Sequence, residues 1–580
     1  MPLTGPRARW LALALVPPAA LVWGGTVANK VLNPDESQHL HAAWLVGTGA
    51  APFADFWEHH SPLLYYLLAP LTRWFAESPA VYLAGRVVMA MAALAALFLV
   101  ARLASRLPSG TALAAVTLLA FLPRFVEHAT EVRPDVPALV AGLGGLLALV
   151  HWRERGGTAW LWRAGLLFGV ATSFTPKALY AAPGLAAVLA FAERERGPGR
   201  LGRLAASGAC FAGGAGVPLL ALLGGLWLHG GRPALDGFAE HVVLRALDFA
   251  DFAKEGPVTD EGLGFLALAG AGLALVAREH GAGLVRHPVH GTLLPPLAAT
   301  IAVLLLPTTP AVYRHAWLPV LAVAAIYAGH ALQAALRRSR VLAVLAVLVG
   351  LAGPATISGQ RALVDGNSSQ FRLMRQELAR TCPGEPVLDG TALFVFRPAA
   401  HRYRVLISGV REWIATGVLA EERIVDDVRA TRPRIAHVDQ RLRGLVGPMA
   451  DFLARHYVPT ADGLLVAGGA IRIEPPRDGG RAYVELLRGE TYRLAVDPGS
   501  PGIEVAIDRE PVRAGLVRLA AGRHEVTWRG PAGSIEVTAL SCVERRALGE
   551  AVRALSRSGS RATVSQRLPT RAIVAPTPSA

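Results

Sequence analysis

The chain alternates between long apolar runs and short polar connections as far as residue 357. Eleven apolar runs begin near residues 10, 79, 111, 136, 161, 178, 204, 262, 291, 316 and 341. Such runs predict helices that cross roughly 30 Å of hydrocarbon, although several, with only about 16 residues, are at the short end. The alternative for the first run is a cleaved signal peptide, whose apolar core would be shorter. We therefore predict a multi-pass α-helical membrane domain over residues 1–357 with about eleven transmembrane helices.

Hydropathy falls after this domain, and the pattern changes twice. Residues 358–475 contain two short apolar runs, PVLDG and RIAHVD, with helical patterns between them, which predicts a small α/β domain. Residues 476–545 carry the alternating runs AYVELL, YRLAV, IEVAID, HEVTW and SIEVTAL, separated by Gly, Pro and Asp, which is typical of a small β-sandwich. Residues 546–580, rich in Arg, Ser, Thr and Pro, are predicted to be a disordered tail.

The arginines indicate how the membrane domain is oriented. With the N-terminus in the cytoplasm, every inner connection is basic, as the positive-inside rule requires. These connections carry Arg102 and Arg106; Arg153, Arg155 and Arg163; Arg194, Arg196, Arg200 and Arg203; Arg278 and Arg286; and Arg337, Arg338 and Arg340. The outer connections are then 30–78, 127–135, 175–177, 230–261 and 308–315. The C-terminal domains are expected outside the cytoplasm, on the periplasmic side of a bacterial inner membrane.

Composition agrees with a membrane protein, because 52% of the 580 residues are hydrophobic and only 17% are charged. The formal net charge of +15 would suggest nucleic acid as a partner of a soluble protein. Here the arginines lie in short clusters between apolar runs, so the bilayer is the expected partner and nucleic acid is not.

The first outer connection, residues 30–78, concentrates ionisable side chains as no other segment does. Between residues 33 and 68 its acids and histidines are Asp35, Glu36, His39, His41, Asp55, Glu58, His59 and His60. Residues 61–75 are apolar and aromatic but too short to cross, and Pro62 suits a helix start. They predict an interfacial helix with Tyr65, Tyr66 and Trp74 at the headgroup level; a re-entrant packing helix is the alternative.

Asp35 and Glu36 directly follow the first apolar run. A carboxylate at the membrane surface can serve as a general base when crowding and partial desolvation bring its pKa toward the working pH. The alternative for such a pair is a solvated loop without function.

Four segments taken in order resemble a known family. They are the DE at residues 35–36, EHHSPLLYYL at 58–67, EVRPDVPAL at 131–139 and FTPKAL at 174–179. The chain from about residue 10 to 357 resembles the GT-C fold membrane glycosyltransferases, the protein O-mannosyltransferase and aminoarabinose transferase-like family. Relatives that transfer aminoarabinose often have Lys-Pro-Pro where this chain has His60, Ser61 and Pro62, which leaves His60 as a phosphate ligand open.

The resemblance implies an inverting glycosyltransferase that moves a sugar from a polyprenyl-phosphate donor to an acceptor hydroxyl or amine on a glycan, lipid or protein outside the cytoplasm. Asp35 matches the position of the family's catalytic base, and Glu36 is expected to orient the acceptor or help hold a metal. Residues expected to bind substrate or phosphate are Glu58, His59, His60, Arg133, Asp135, Lys177, Arg314 and His315. Two alternatives stay open: a structural ion pair for Arg133, and a snorkelling side chain for Lys177.

No cofactor follows from the motifs with certainty. Histidines and carboxylates of the first outer connection could assemble a site for a divalent metal such as Mg or Mn, but no spacing in it is diagnostic. Cys382 and Cys542 both fall in the part predicted to lie outside the cytoplasm, where a disulfide is chemically permitted. The sequence alone does not show that they meet. Cys210, in an apolar run, is expected to be inert packing.

Two other classes of function compete with the enzyme. A polyprenyl-linked lipid or sugar transporter, or flippase, would line its path with the same charged groups, but it should place them near the middle of the membrane and often has two related halves. No convincing repeat is present. An envelope-assembly protein with an inactive membrane part and a binding tail is the third possibility.

Overall fold

The computed structural model describes residues 6–196, 199–244, 255–256, 262–309, 312–445, 447–496 and 503–557. The chain divides into two compact units. Unit 1 comprises Met1–Ala76 and Ala80–Ser368, and unit 2 comprises Glu77–Pro79 and Ser369–Ala580.

Unit 1 is helical. Its helices are α1 Pro6–Asn29, α2 Pro34–Gly47, α3 Leu63–Trp74, α4 Val81–Ala104, α5 Thr111–Phe121, α6 Pro123–Ala129, α7 Asp135–Arg155, α8 Thr158–Phe174, α9 Ala182–Glu195, α10 Arg200–Phe238, α11 Leu263–His280, α12 His290–Leu305, α13 Leu318–Arg338, α14 Arg340–Val347 and α15 Gly353–Leu363. Short 3₁₀ turns at Pro176–Ala181 and Arg314–Trp317 precede α9 and α13.

The predicted apolar runs all fall on these helices. Among the described residues, 6 helical stretches are long and apolar enough to cross a membrane, and up to 7 if α5 and α6, which are bent by 71°, form one broken span. The 6 stretches are Val81–Ala104, Asp135–Arg155, Arg200–Leu244, Leu263–Gly283, Arg314–Arg338 and Arg340–Arg380. The fold is therefore a multi-pass helical one, and the number eleven stays a prediction.

Helix α4 shows how these helices meet the hydrocarbon. Val87, Met91, Leu94 and Phe98 are 50–62% exposed and recur at intervals of four, three and four residues, so they share one face. The opposite face is buried in the helical bundle. An exposed apolar stripe of this length is costly in water and suits contact with lipid chains.

The basic connections predicted to be cytoplasmic meet at one end of unit 1. Arg153 Nη2 donates to the carbonyl oxygen of Val285 at 2.8 Å, which joins the connection after α7 to the one after α11. Arg337 Nη2 donates to the carbonyl oxygen of Ser109 at 2.9 Å, which joins the ends of α13 and α4. Because successive long helices alternate in direction, the connections that carry Asp35, Arg133 and Lys177 lie at the other end.

Three details of the predicted outer connections need correction. The segment after the first run is not an irregular loop, since it folds into α2. Tyr65, predicted at the headgroup level, is fully buried, whereas Trp74 is 86% exposed. The connection 230–261 begins as helix: α10 continues past a break at Gly231 (φ 62°) and its last turns reach residue 244. Residues 245–254 and 257–261 lie outside the described part.

Unit 2 combines helices with a mixed sheet. Its helices are α16 Ser368–Arg380, α17 Ser408–Ala415, α18 Glu421–Thr431, α19 Pro448–His456 and α20 Cys542–Arg557. Its strands are β1 Val387–Leu388, β2 Ile435–Ala436, β3 Tyr457–Pro459, β4 Leu465–Leu486, β5 Glu490–Val496, β6 Glu504–Ile507, β7 Glu510–Val512, β8 Gly515–Leu519 and β9 Gly522–Ala539. The main path of the sheet has the order β1-β2-β4-β9-β5-β8.

The long strand β4 passes through the predicted boundary at residue 475. Its first residues pair with β2 and β3, and its remainder pairs with β9, so one strand serves both predicted C-terminal domains. The runs HEVTW and SIEVTAL, predicted as two strands, both lie on β9. Residues 546–557, predicted as part of the disordered tail, belong to α20, and residues 558–580 lie outside the described part.

The ends of the parallel strands β1 and β2 carry two buried aspartates. Asp389 accepts from the backbone N–H of Leu393 at 2.7 Å, and Asp439 accepts from that of Gly390 at 2.7 Å. Burial, reinforced by Asp439, raises the pKa of Asp389 to about 8. Both side chains therefore shape turns, as strand-end aspartates commonly do.

Cys382 and Cys542 form a disulfide that joins the end of α16 to the start of α20. The bridge closes a loop of 160 residues. It restricts the unfolded chain of unit 2 over most of its length.

Reduction of this bridge should weaken unit 2. We expect Cys382→Ser with Cys542→Ser to lower its unfolding free energy by about 2 to 5 kcal/mol, because the unfolded chain regains the entropy that the long loop had removed. The measurement is the urea midpoint of the full chain in detergent, followed by tryptophan fluorescence with and without dithiothreitol. Cys210→Ser, which removes the one free thiol among the described residues, is the matched control and should keep the response of the natural protein. An identical midpoint in oxidised and reduced protein would contradict the assignment.

Candidate active site

The first turn of α2 sets the directions of Asp35 and Glu36. The Asn33 side chain accepts from the backbone N–H of Asp35 at 3.0 Å, and Glu36 Oε2 accepts from the backbone N–H of Asn33 at 3.0 Å. This reciprocal capping box, with Pro34 as the first helical residue, starts the helix at a defined residue. Consecutive helical residues point about 100° apart. Asp35 consequently remains 28% exposed, while Glu36 is fully buried.

Glu36 is held by Arg86 of α4, and neither side chain is accessible to solvent. Arg86 Nε and Nη2 donate to the two carboxylate oxygens at 2.8 and 2.7 Å. The same guanidinium donates to the carbonyl oxygens of Lys30 at 2.8 Å and Val31 at 3.0 Å. All of these contacts fasten the segment between α1 and α2 to α4. Arg86 was not predicted, although a lone arginine inside an apolar run is the signal that could have found it.

Asp35 pairs with Arg133, which is the centre of a charged network. Arg133 Nε lies 3.3 Å from Asp135 Oδ2, and Arg133 Nη2 donates to His315 Nε2 at 2.9 Å. Lys177 Nζ donates to the same His315 nitrogen at 2.7 Å and lies 3.5 Å from Asp135 Oδ1. Five of the residues predicted for the site are thus brought together.

The charges in this network follow from its donors and from burial. Arg133 and Lys177 carry only N–H donors, so His315 Nε2 is their acceptor. Burial would lower the pKa of Arg133, but the carboxylates of Asp35, Asp135 and Glu131 outweigh it and raise that pKa above its ordinary value. Burial, with Arg133 nearby, lowers the pKa of Lys177 despite the opposing charge of Asp135. Two cations and two carboxylates therefore face each other with little solvent around them.

A second layer supports Arg133 from behind. Glu131 is 1% exposed, contacts Lys30 and lies 3.0 Å from His128 Nδ1. Burial acts to raise the pKa of Glu131, but Lys30, His128 and Arg133 hold it well below its usual range. Glu131, His128 and Lys30 were not among the predicted site residues.

Glu58, His59 and His60 form a separate cluster beside α2. Glu58 Oε1 accepts from Gln38 Nε2 at 2.8 Å and from the backbone N–H of His59 at 2.8 Å, and it lies 3.1 Å from His60 Nδ1. One ligand atom from each of the three residues lies within 4.8 Å of the others, which is compatible with a metal ion. The same carboxylate oxygen already accepts several hydrogen bonds, so the contacts account for the cluster without a metal as well.

His39 lies between the two groups. Its pKa is lowered to about 3 by burial, then by the nearby His60 and Arg133, against the opposing charges of Glu58 and Asp35. Its two ring nitrogens have no hydrogen-bond partner among the described residues. Burial, reinforced by His60, likewise holds the pKa of His59 well below its usual range.

Other residues of the predicted set lie apart from Arg133. Arg314 is about half exposed and pairs with Glu255 at 3.2 Å, so it points away from its neighbour His315. Asp55 accepts from the backbone N–H of Ala51 at 2.7 Å and closes a turn. His41 packs against Trp44, with ring centroids 5.5 Å apart.

An apolar pocket opens beside the network, between α7, α8, α12 and α13. Asp135, Lys177 and His315 form its polar end. Its apolar lining consists mostly of Leu139, Leu143, Leu146, Phe168, Leu293, Leu297, Val320 and Val323. A cavity with charge at one end and hydrocarbon along its walls suits an amphipathic ligand.

Comparison with known proteins bears on this site. Residues 59–206 match the model of the family described as dolichyl-phosphate-mannose-protein mannosyltransferase. The match contains Arg133, Asp135 and Lys177 and begins at His59, so Asp35 lies before it. Sequence comparison with curated proteins finds no match.

A solved structure resembles most of the chain. The chain superposes on ArnT from Cupriavidus metallidurans bound to undecaprenyl phosphate with a TM-score of 0.53 and 14% identity, over 79% of this chain and 97% of that one. This likeness shows that the two proteins share a fold. Weaker matches are EmbB from Mycobacterium smegmatis, with a TM-score of 0.37, 12% identity and coverage of 90% of this chain and 64% of that one, and mycobacterial AftD, with a TM-score of 0.43, 13% identity and coverage of 91% and 58%.

The family match over residues 59–206 and the shared fold confirm the predicted family resemblance, and the long apolar helices agree with a membrane location. The individual roles of the site residues stay predictions, because the family match and the shared fold assign none of them. The network around Arg133 is the part of the molecule from which those roles can be argued.

The loss of one partner of the buried Glu36–Arg86 pair should strongly destabilise this end of unit 1. We expect Arg86→Met to lower the unfolding free energy by about 3 to 5 kcal/mol, because it leaves the Glu36 carboxylate buried without its counter-charge. Adding Glu36→Gln should recover part of the loss. The measurement is thermal unfolding in detergent of the two single variants and the double variant. If the loss of stability in the double variant equals the sum of the losses in the two single variants, the two side chains are not coupled.

Acid should destabilise the protein through His39. Its pKa is about 3 when folded and 6.5 when unfolded, so the unfolded chain binds the proton first and stability decreases as the pH falls through that window. This histidine contributes a loss of about 2 kcal/mol between pH 6.5 and 5. His39→Phe should flatten the dependence of the unfolding temperature on pH, whereas His229→Gln, at a half-buried histidine on α10, should not. An unchanged slope in His39→Phe would exclude this histidine as the source.

Proposed function

We propose that the protein transfers a sugar, with inversion at the anomeric carbon, from a polyprenyl-phosphate donor to an acceptor on the non-cytoplasmic side of the membrane. The observation that carries the proposal is the position of Asp35, which is partly exposed and paired with Arg133. Arg133 in turn contacts Asp135 and His315 at the polar end of an apolar pocket. A carboxylate, two cations and a hydrocarbon-lined space are the groups that this reaction requires in one place.

The cavity and its charged end fit the two parts of the donor. The polyprenyl chain occupies the apolar space between α7, α8, α12 and α13, and its phosphate lies near Lys177 and Arg133. The binding of undecaprenyl phosphate by ArnT, which shares this fold, supports a donor of this class. The guanidinium of arginine can donate two parallel hydrogen bonds to a phosphate, and the ammonium of lysine adds a compact positive charge.

The chemistry follows from these positions. The Asp35 carboxylate takes the proton of the acceptor hydroxyl, and the oxygen attacks the anomeric carbon from the face opposite the phosphate. The bond between that carbon and the phosphate oxygen breaks, and polyprenyl phosphate leaves with the electron pair. Arg133 and Lys177 stabilise the charge that develops on the leaving group, so no second acid is needed.

The resting contacts suggest how the base is released. Arg133 is paired with Asp35 and is also near Asp135. A phosphate that enters between Arg133 and Lys177 competes for the same N–H donors and loosens the contact to Asp35. The carboxylate then turns toward the acceptor. Glu36 acts as a positioning residue in this scheme, because its carboxylate is occupied by Arg86.

The remaining predicted residues have supporting roles. His59 and His60 are held by Glu58 next to α2 and remain partly exposed, and they are proposed to contact the acceptor. A Mg or Mn ion at this cluster is an alternative role, and loss of transfer activity in the presence of a chelator would support it. Arg314, paired with Glu255, is assigned no role in phosphate binding.

The orientation belongs to the same proposal. All basic connections meet at the end of unit 1 opposite Asp35, which the positive-inside rule assigns to the cytoplasm. The disulfide between Cys382 and Cys542 favours an oxidising compartment for unit 2. Both observations support a cytoplasmic N-terminus and an extracytoplasmic C-terminus in a bacterial inner membrane.

Removal of the base tests the proposal directly. We expect Asp35→Asn to lower transfer from the correct donor by at least about 100-fold, since a general base contributes that much or more. The measurement is release of label from a panel of radiolabelled polyprenyl-phosphate sugars by the purified protein in liposomes. Asp55→Asn, in the same connection but at a turn carboxylate, should retain activity.

The outcomes separate the competing functions. Release by the natural protein and by Asp55→Asn alone supports the transferase and the base together. Full activity in Asp35→Asn removes the base assignment but keeps the reaction. No release from any carrier by folded protein, combined with movement of labelled lipid across the bilayer, would favour the flippase.

A further inference from the structure

Three histidines lie together at the end of unit 1 opposite Asp35. His280 is the last residue of α11, His287 lies in the connection to α12, and His290 is the first residue of α12. The connection is tied to the α7 end by Arg153, which donates to the carbonyl oxygen of Val285 at 2.8 Å. The sequence contains no recognisable metal-binding motif here, because the three histidines come together only where the end of α11 approaches the start of α12.

The three rings are close enough to share one ion. One nitrogen from each histidine lies within 4.8 Å of the corresponding nitrogens of the other two. The ring centroids are 4.8 Å apart for His280 and His287, 5.0 Å for His280 and His290, and 4.4 Å for His287 and His290. A tetrahedral zinc ion with bonds of about 2.0 to 2.1 Å requires ligand nitrogens separated by roughly 3.4 Å, which small ring rotations reach from here.

Surrounding groups orient two of the rings as metal ligands are usually oriented. His280 Nδ1 lies 3.2 Å from the carbonyl oxygen of Val276, so this nitrogen carries the proton and Nε2 keeps its lone pair. His290 Nδ1 lies 3.5 Å from the hydroxyl of the buried Tyr327. His287 Nδ1 is 3.4 Å from the backbone N–H of His290, a long contact that a metal ion would readily replace.

We propose that His280, His287 and His290 bind a divalent transition metal ion, with zinc as the preferred ion, and that the ion fastens α11 to α12. Three imidazole nitrogens favour Zn²⁺, Co²⁺ or Ni²⁺ over Mg²⁺ and Mn²⁺, which prefer oxygen ligands. The fourth position is open to water. The site lies across the membrane domain from Asp35, so it is structural and does not take part in transfer, and it does not depend on the proposed function.

Metal content tests the site. The full chain in detergent is stripped with EDTA, exchanged into buffer with Zn²⁺ in the presence of excess Mg²⁺, freed of unbound metal and measured by mass spectrometry of the elements. We expect about one zinc ion per chain, and a decrease of roughly tenfold or more in the variant with both His287→Gln and His290→Gln. With Co²⁺, the natural protein should give the visible absorption of a tetrahedral site, and this variant should not.

Two control variants locate the ion. His151→Gln removes another histidine at the same end, one that stacks on Trp160 at 4.6 Å, and should bind zinc as the natural protein does. The variant with His59→Gln and His60→Gln should also retain it. Zinc retained by the variant at positions 287 and 290, zinc lost only from the variant at positions 59 and 60, or no zinc bound by the natural protein would each overturn the proposal. Circular dichroism of each variant confirms that the helices are intact.

Discussion

The position of Asp35 depends on a neighbouring ion pair, Glu36 with Arg86, that is buried from solvent. Arg86 reaches from α4 to Glu36 and to the carbonyl oxygens between α1 and α2. A buried ion pair of this kind contributes little net stability, but the loss of one partner is severe. Its value lies in geometry, since it holds the first turn of α2 at one place on the bundle. Asp35 then projects toward Arg133 because Glu36 projects inward.

The charged side chains of the network around Arg133 balance one another. In the resting arrangement the two cations, Arg133 and Lys177, are balanced by Asp35 and Asp135, so little net charge is buried. In the reaction proposed above, a bound phosphate adds negative charge to this balanced group, so the contacts of Arg133 and Lys177 have to rearrange to accept it. His315 accepts a hydrogen bond from each of the two cations and so holds Arg133 and Lys177 next to each other.

Much of the fold could be predicted because hydropathy averages over many residues. The long apolar runs form helices, as predicted. Because successive helices alternate in direction, polar residues that flank different runs, such as Asp35, Arg133 and Lys177, lie at the same end of the bundle. Single residues were harder. A single arginine such as Arg86 hardly lowers the mean hydropathy of the apolar run that contains it. Arg314 was predicted to bind phosphate together with His315, but the 3₁₀ turn that contains both residues directs their side chains to different partners. In unit 2 a turn-like sequence was a poor guide to the end of a strand. The segment PPRDGG at residues 475–480 lies within β4, where the pairing with β9 shifts in register but continues.

That continuous strand limits how unit 2 can be divided. Residues 468–472 of β4 pair with β9, which enters the sheet more than fifty positions later in the chain. A protein cut at residue 475 would keep the first half of β4 and lose its partner strand. The result would be an open edge of unpaired N–H and carbonyl groups, which is a template for aggregation. The sequence patterns on the two sides of residue 475 therefore belong to one folding unit, because both depend on β4.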